Sequence, residues 1–399
     1  FYVLGVDQST QGTKAVLFDP KGFLLARYDL PHEQIVDHLG WVSHNPSEIY
    51  RNVVQACRKV IEKAGISSSE ICCMGITNQR ETTVAWDKET GEPLADAIVW
   101  QCNRAKEICR EIQQKYGCEE EIYKKTGLKL SPYYPASKMT WFMENISEAR
   151  EKAQQHRLAL GTIDSWLIYK LTGGRSFRTD YSNASRTQLF HLENLCWDEE
   201  LLKYFRVPAD ALAEVTDSDG IFGETDLEGF LEKPIPICGV LGDSHGALFG
   251  HNCRGEGNIK ATYGTGSSVM LNTGGQQIAS RHGLSTSLAW KVKGRVSYVL
   301  EGNINYTGAV ISWLKDEIGI IASAKETEAL ALEANSQDQT YIVPAFSGLG
   351  APWWNNEARA MIVGMNRSTG KKELVKAACD CIAYQINDVV DAMRKDTGL

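Results

Sequence analysis

Long apolar segments are absent from this 399-residue sequence. No apolar run approaches the ~18 residues that a membrane-spanning helix needs. Lysine and arginine together number 42 against 50 acidic residues, which gives a formal net charge of −8. Because a nucleic-acid backbone is bound by a basic protein face, this charge disfavours nucleic acid as the main partner. We therefore expect neither membrane insertion nor nucleic-acid binding.

Paired CxxC motifs are also missing, although the chain has 11 cysteines. Their spacing argues against a zinc ribbon, and their odd number favours free thiols in a reducing compartment. We therefore expect a cytoplasmic protein. Two nucleotide-binding signatures are absent as well, GxxxxGK[ST] and a GxGxxG that follows a strand. A P-loop fold or a dinucleotide-binding fold is disfavoured for that reason.

Strand-like and helix-like patterns alternate along the chain and predict an α/β protein. Asn45 fits a helix N-cap, Pro46 the first helical position and Glu48 the partner residue of a capping box. Apolar residues then recur at helical spacing until Gly65. Residues 103–230 are predicted to be mostly helical. Strands are predicted at 1–7, 14–19, 22–28, 70–76, 234–242, 258–263 and 269–273, and a long amphipathic helix at 374–393.

Two polar turns, each between predicted strands, have the chemistry of a phosphate-binding loop. The first is DQSTQGTK (7–14) and the second is GTGSS (264–268). Backbone N–H groups and hydroxyls in such turns can surround phosphate oxygens, and Lys14 could add a charge-assisted hydrogen bond. Either turn alone is more simply explained as an ordinary β-turn. Two of them in opposite halves of the chain predict a nucleotide held between two similar domains.

Charged residues follow three of the predicted strands. Asp243 ends the apolar strand 234–242 and could take a proton from an attacking hydroxyl. Asp7 could hold Mg²⁺, and Arg80 with Glu81 could hydrogen-bond a polyol. The alternatives are turn-capping aspartates and a surface salt bridge. Trp100 and Tyr133 could flank the apolar edge of a polyol, although aromatic residues more often pack in a core.

Several long segments resemble the FGGY carbohydrate kinases. They are residues 76–104 (ITNQRETTVAWDKETGEPLADAIVWQCNR), 133–145 (YYPASKMTWFMEN), 161–174 (GTIDSWLIYKLTGG), 180–190 (DYSNASRTQLF), 263–274 (YGTGSSVMLNTG), 343–354 (VPAFSGLGAPWW) and 360–380. The resemblance spans essentially the whole chain. It implies two ribonuclease-H-like, actin-like domains, residues 1–245 and 246–399, with the active site in the cleft between them.

The resemblance also implies an activity, ATP-dependent phosphorylation of a small polyol with Mg²⁺, and glycerol is the first candidate substrate. It further implies a homo-oligomer, a dimer or a tetramer. Asp243 corresponds to the family's catalytic base. Polyol contacts are implied for Arg80, Glu81, Trp100, Tyr133 and Asp243, nucleotide contacts for Thr10, Gln11, Gly12, Thr13, Lys14, Thr265, Gly266, Gly308 and Ser312, and a metal near Asp7 and Asp243.

Some positions depart from the family pattern. Ser244 stands where glycerol-phosphorylating members have Gln, Ser268 where they have Phe, and Ser9 where the family has Gly. Ser244 and Ser268, as positions in the polyol site, enlarge it and make it more polar. A kinase of a four- or five-carbon polyol or ketose, such as xylulose, ribulose or erythritol, is therefore an alternative.

The chain ends at Leu399, before the glycine-rich segment with which the family binds adenosine. We expect the second domain to be truncated and the nucleotide to bind weakly. A non-catalytic sugar-binding module is a further alternative, and an actin-like or chaperone-like ATPase is another. Arg80, Glu81 and Tyr133 speak against the ATPase, which needs no polyol site.

Overall fold

The computed structural model describes residues 1–355 and 357–399. The chain forms two compact units. The first comprises Phe1–Ala247 and Ser287–Ser297, and the second comprises Leu248–Thr286 and Tyr298–Leu399. The mixed α/β character expected from the sequence is confirmed.

The first part of the chain, to residue 250, carries fifteen strands and nine helices among the described residues. The strands are β1 (Tyr2–Gln8), β2 (Gly12–Phe18), β3 (Leu24–Pro31), β4 (Ile35–Val36), β5 (Val42–His44), β6 (Ile71–Asn78), β7 (Thr83–Asp87), β8 (Ala97–Ile98), β9 (Leu158–Thr162), β10 (Arg178–Asp180), β11 (Phe190–His191), β12 (Cys196–Trp197), β13 (Glu214–Thr216), β14 (Gly223–Thr225) and β15 (Ile235–Gly242). The helices are α1 (Pro46–Ala64), α2 (Lys106–Tyr116), α3 (Glu119–Thr126), α4 (Pro135–Asn145), α5 (Ser147–Gln154), α6 (Ile163–Leu171), α7 (Tyr181–Ala184), α8 (Glu199–Phe205) and α9 (Asp243–Gly250).

The main sheet of the first unit has the strand order β14-β15-β6-β1-β2-β3. Strands β1, β2 and β3 pair antiparallel, whereas β6 and β15 continue the sheet parallel to β1. Apolar residues of β1, β2 and β6 pack with α1 and α6 in one buried core, which includes Leu4, Leu17, Met74, Val53 and Leu167. A second sheet has the order β4-β5-β8-β7-β9. All five strands of this sheet lie in segments for which the sequence predicts no strand, and β9 falls within 103–230, a segment predicted to be mostly helical.

Helix α1 begins and ends where the sequence predicts. The Asn45 side chain accepts hydrogen bonds from the N–H groups of Ser47 and Glu48 at 2.9 and 3.1 Å. Gly65 closes the helix with φ of 67°, a left-handed conformation that suits glycine. The Glu48 carboxylate accepts from the N–H of Glu33 at 3.3 Å, which is a longer-range contact than the predicted capping box.

The second part of the chain contains the strands β16 (Ile259–Tyr263), β17 (Ser267–Gly274), β18 (Ser285–Val292) and β19 (Arg295–Ile304). They form a four-stranded sheet of order β16-β17-β19-β18, in which β17 pairs antiparallel with β16 and with β19. The short strands β20 (Tyr341–Val343) and β21 (Met361–Val363) pair separately. Its helices are α10 (Gly308–Asp316), α11 (Thr327–Leu332) and α12 (Lys371–Thr397). Helix α12 is the predicted long amphipathic helix. Within the part of the chain that the structure describes, none of the helices combines the length and the apolar character that a bilayer crossing requires.

A buried carboxylate pair in the first unit couples stability to pH. Asp164 and Asp180 are both 0% exposed. Thr162 and Thr179 donate hydroxyl hydrogen bonds to Asp164 at 2.5 and 2.6 Å. Burial, and next the charge of Asp180, raises the pKa of Asp164 from 3.8 to about 6. The protonated form of Asp164 is therefore favoured by folding.

We expect Asp164→Asn to flatten the dependence of stability on pH. Protonated Asp164 adds to the free energy of unfolding. This stabilisation is fully present below pH 3.8 and is lost as the pH rises through about 6. A rise in pKa of this size corresponds to about 3 kcal/mol of unfolding free energy. Because asparagine does not titrate, the variant will lose this part of the change in unfolding free energy with pH. Urea unfolding of both proteins from pH 4 to 7 measures it. Parallel curves of unfolding free energy against pH would contradict the prediction.

Candidate functional site

Three neighbouring strands of the main sheet end at one edge. In the parallel pairs, Gln8 of β1 lies beside Asn78 of β6, and Asn78 lies beside Gly242 of β15. The residues that follow these strand ends are therefore brought together, as in other parallel sheets, where ligands bind at this edge. They are Ser9–Thr10 after β1, Gln79–Glu81 after β6, and Asp243 after β15.

Asp243 is the first residue of α9 and lies beside Arg80. Its Oδ1 is 3.3 Å from Arg80 Nε and accepts from the Ser244 N–H at 2.6 Å. Burial raises the pKa of Asp243, and the nearby Arg80 guanidinium partly opposes that rise; the charges of Glu81 and Asp7 raise the pKa further, and the Ser244 N–H lowers it. The side chain nevertheless keeps 39% of its exposure, so a ligand can reach the carboxylate. It is thus a stronger base than an ordinary carboxylate.

Gly242 allows the close approach of Arg80 to this strand end. A Cβ at Gly242 would lie 2.7 Å from both Cγ and Cδ of Arg80. The Arg80 side chain is 5% exposed, so it has little room to give way. A side chain at position 242 would therefore displace Arg80 from Asp243.

Glu81 combines an uncommon backbone conformation with a buried ion pair. Its φ is 61°, and its side chain is 1% exposed. The Nε of Arg186, which is 0% exposed, lies 2.6 Å from Glu81 Oε1. The Arg186 guanidinium also lies over the ring of Tyr134, 5.3 Å from its centroid. A left-handed non-glycine residue is a sign of strain that the surroundings maintain, and such residues cluster at functional sites.

Arg186 is a site residue that the sequence analysis did not single out. It lies within the quoted segment 180–190 but is 105 residues from Glu81 along the chain. The available signal was indirect, since a carboxylate predicted near a buried strand end needs a counter-charge.

Trp100 joins the first polar turn to the predicted polyol residues. Its indole Nε1 donates to the Thr10 hydroxyl at 2.9 Å. Its ring packs edge-on against Tyr133, with the centroids 5.6 Å apart. The structure therefore brings together the two aromatic residues expected to flank a polyol, and it places them next to Thr10.

The first turn connects β1 and β2 as predicted. Ser9 closes it, because both its N–H and its hydroxyl donate to the Gly12 carbonyl, at 2.8 and 2.9 Å. Gln11 is exposed at its tip. Lys14 extends from β2 to Asp7, with 2.8 Å between Nζ and Oδ2. Thr13 is 1% exposed, whereas the neighbouring turn residues are accessible, so its hydroxyl is buried rather than on the surface of the turn.

Asp7 and Asp243 are two partly exposed carboxylates of the kind that could bind a divalent cation together with a phosphate group. Their side chains are 37% and 39% exposed, and the charge of Asp7 raises the pKa of Asp243. Asp7 also accepts a hydrogen bond from the Thr77 hydroxyl at 3.1 Å. Mg²⁺ is typically bound by one or two carboxylates, with water and substrate phosphates as its other ligands. Among the described residues, no cluster of three or more His, Cys, Asp or Glu side chains could hold a metal on its own.

The second unit holds the other predicted turn against the start of α10. The Thr265 carbonyl accepts from the N–H groups of Thr307 and Ala309 at 3.0 Å, and the Gly264 carbonyl accepts from Gly308 at 2.9 Å. A Cβ at Gly308 would clash with the Gly264 carbonyl oxygen. This explains glycine at the first position of the helix.

The remaining predicted residues of the second unit lie near this turn. Gly266 precedes β17, and a Cβ there would lie 2.5 Å from the Ile304 carbonyl oxygen. Ser312 is exposed one helical turn after Gly308 on α10. The hydroxyl of Ser268, on β17, donates to the buried carboxylate of Glu301 at 2.8 Å. Its side chain is therefore already engaged by a neighbour.

Comparison with known proteins identifies the family. Residues 2–250 match the N-terminal domain of the FGGY family of carbohydrate kinases, and residues 259–399 match its C-terminal domain. The chain is 50% identical to glycerol kinase 1 of Thermotoga maritima, over 98% of this chain and 79% of that protein. It is 44% identical to the glycerol kinase of Bacillus licheniformis, over 100% of this chain and 80% of that protein.

Solved structures agree with this identification. The structure of Plasmodium falciparum glycerol kinase with ADP has a TM-score of 0.93 and 37% identity, covering 100% of this chain and 79% of that one. The ligand-bound xylulose kinase of Lactobacillus acidophilus shares the fold, with a TM-score of 0.88 and 24% identity over 99% of this chain and 79% of that one. The resemblance seen in the sequence motifs is confirmed: the chain belongs to the FGGY family of carbohydrate kinases.

Proposed function

We propose that this protein transfers the γ-phosphoryl group of ATP to a hydroxyl of glycerol, forming sn-glycerol 3-phosphate and ADP. The observation that carries the proposal is the Asp243 carboxylate, accessible and with a raised pKa, beside Arg80 and near Glu81. The relatives named glycerol kinase in Thermotoga maritima and Bacillus licheniformis support glycerol as the acceptor.

Asp243 takes the proton of the attacking hydroxyl in this proposal. A carboxylate with a raised pKa is a better proton acceptor, and general base catalysis works best when the base is ionised at the working pH. Arg80 favours the charged form of Asp243 and so opposes the rise in its pKa that burial causes. Arg80 and Glu81 hydrogen-bond the polyol hydroxyls, and the rings of Trp100 and Tyr133 cover its carbon edge.

The polar turns hold the nucleotide in this proposal. In the domain assigned to residues 1–245, the backbone of Thr10–Gly12 and the Lys14 ammonium contact phosphate oxygens. In the domain assigned to residues 246–399, the nucleotide contacts are Thr265, Gly266, Gly308 and Ser312. Asp7 and Asp243 would hold Mg²⁺, which would supply positive charge to the phosphate oxygens. The same groups stabilise the negative charge of the transferred phosphoryl group.

A longer polyol or a ketose is the second candidate acceptor. Ser244 follows the proposed base directly, and its side chain is too short to reach across a pocket as Gln would. Ser268 likewise leaves the space that a Phe would fill, and its hydroxyl is held by Glu301. Less apolar contact weakens the preference for a small polyol.

Initial rates of ADP release with glycerol, erythritol, threitol, xylitol, ribulose and xylulose test the acceptor. We expect kcat/KM for glycerol to exceed that of each longer compound by ~10-fold or more, the scale on which a pocket separates substrates by one carbon. The matched variants Ser244→Gln and Ser268→Phe should widen this margin. A higher kcat/KM for a four- or five-carbon compound would overturn glycerol as the substrate.

We also propose that the protein acts in the cytoplasm as a dimer or tetramer. Every cysteine is a free thiol, which supports a reducing compartment. Sedimentation velocity at micromolar concentration tests the assembly, and a single species of 44.3 kDa would contradict it.

A further inference from the structure

Asp180, the buried neighbour of Asp164, lies close to the strand ends that precede the site residues. It ends β10, is 0% exposed, and caps α7. Its oxygens accept from the N–H groups of Ser182 and Asn183, from the Ser182 hydroxyl and from the Asn183 amide, all at 2.9 Å. The Ser218 hydroxyl adds a fifth hydrogen bond at 2.8 Å. A carboxylate with this many donors fixes the orientation of each of them.

Ser182 connects this carboxylate to β15. Its hydroxyl gives its proton to Asp180 and accepts from the Gly242 N–H at 2.9 Å. A serine hydroxyl has one proton, so the bond to Asp180 leaves its lone pairs for Gly242. Gly242 is the last residue of β15 and directly precedes Asp243. The Ser182 hydroxyl therefore joins the Asp180 carboxylate to the last residue of β15.

Asn183 connects the same carboxylate to β6. Its amide donates one proton to Asp180 and the other to Asn78 Oδ1, at 2.9 and 3.0 Å. Asn78 returns a hydrogen bond to Asn183 Oδ1 at 2.9 Å and also donates to the Gln79 carbonyl at 2.9 Å. Asn78 is the last residue of β6, so this network holds the chain just before Arg80 and Glu81.

We infer that Asp180 is a positioning residue that sets the spacing between Asp243 and the Arg80–Glu81 pair, acting through Ser182 on β15 and through Asn183 on β6. The assignment of roles to the positioned groups rests on the proposed function. Asp180 itself is fully buried, so it acts through the groups that it orients.

The two branches predict different kinetic effects. Ser182→Ala frees the end of β15, so we expect kcat to fall at least fivefold with KM for the polyol changed less than twofold. Asn183→Ala frees the end of β6, so we expect KM for the polyol to rise at least fivefold with a smaller loss of kcat. Ser218→Ala is the matched control, because it removes a hydroxyl donor to the same carboxylate without touching either strand end through its side chain. It should stay within twofold in both constants.

Crystal structures of Ser182→Ala and Ser218→Ala make the test independent of turnover. We expect the Asp243–Arg80 separation, 3.3 Å in the parent, to lengthen in Ser182→Ala and to be kept in Ser218→Ala. Equal separations in both variants would overturn the inference, as would kinetic constants of Ser182→Ala and Asn183→Ala that match those of Ser218→Ala. A parent enzyme that phosphorylates no polyol would overturn the proposed function, while a lengthened separation would still support the positioning role.

Discussion

Asp243→Asn will lower kcat by ~100-fold or more, the usual contribution of a general base. The amide is nearly isosteric and can still accept the Ser244 N–H hydrogen bond, but it cannot take up the hydroxyl proton. Initial rates with ATP and glycerol measure the loss, and circular dichroism and thermal melting check that the variant folds. Activity above about a tenth of the parent would contradict the assignment of Asp243 as the base.

The pH profile of the parent gives a second measure of the same role. The base must be ionised to act, so kcat/KM will fall as the pH falls through its pKa. Since the pKa of Asp243 is raised, the midpoint should lie above the ordinary value of 3.8. Asp29→Asn is a suitable control, because Asp29 is half exposed in a surface pair with Arg27. This variant should keep the parent's rate and profile.

Arg186→Met will be among the most destabilising single changes in the first unit. It removes the guanidinium from the fully buried pair with Glu81 and leaves that carboxylate in the interior without it. Breaking a buried ion pair in this way costs about 3–5 kcal/mol. Urea unfolding will report the loss, and KM for the polyol will rise because Glu81 no longer keeps its left-handed conformation.

A double-mutant cycle with Glu81→Gln separates the pair from general packing. The double variant should be less destabilised than the sum of the two single variants, because residues in direct contact are not additive. Glu62→Gln, which breaks the exposed pair with Lys59, is the matched control and should cost under ~1 kcal/mol. An Arg186→Met variant within about 1 kcal/mol of the parent would show that the buried pair does not stabilise the fold.

The local parts of the site could be predicted from the sequence. The strand that ends at Gly242, the first turn and α1 all carry short-range signals, namely an apolar run, turn residues and a capped helical repeat. Asp243 and Arg80 were both predicted to follow strands. Their proximity then follows from the neighbouring positions of β6 and β15 in the sheet.

The long-range polar pairs could not be predicted in the same way. Arg186 meets Glu81, and Asn183 meets Asn78, across 105 residues each. Neither pair produces a period or a spacing in the sequence, because each depends on how separate elements pack. The left-handed φ of Glu81 is likewise imposed by its surroundings, since glutamate has no preference for that conformation.

The backbone pairing of β1, β6 and β15 also bears on how such an enzyme could diverge toward new acceptors. Arg80, Glu81 and Asp243 follow the ends of strands that are joined by main-chain hydrogen bonds. A mutation that shifts one strand end therefore strains the neighbouring strands. Variation is tolerated better at side chains that do not set this frame. Ser244, one residue beyond the strand and helix junction, is such a position. If the proposed function holds, a change at Ser244 would alter the acceptor preference while Arg80, Glu81 and Asp243 keep their positions.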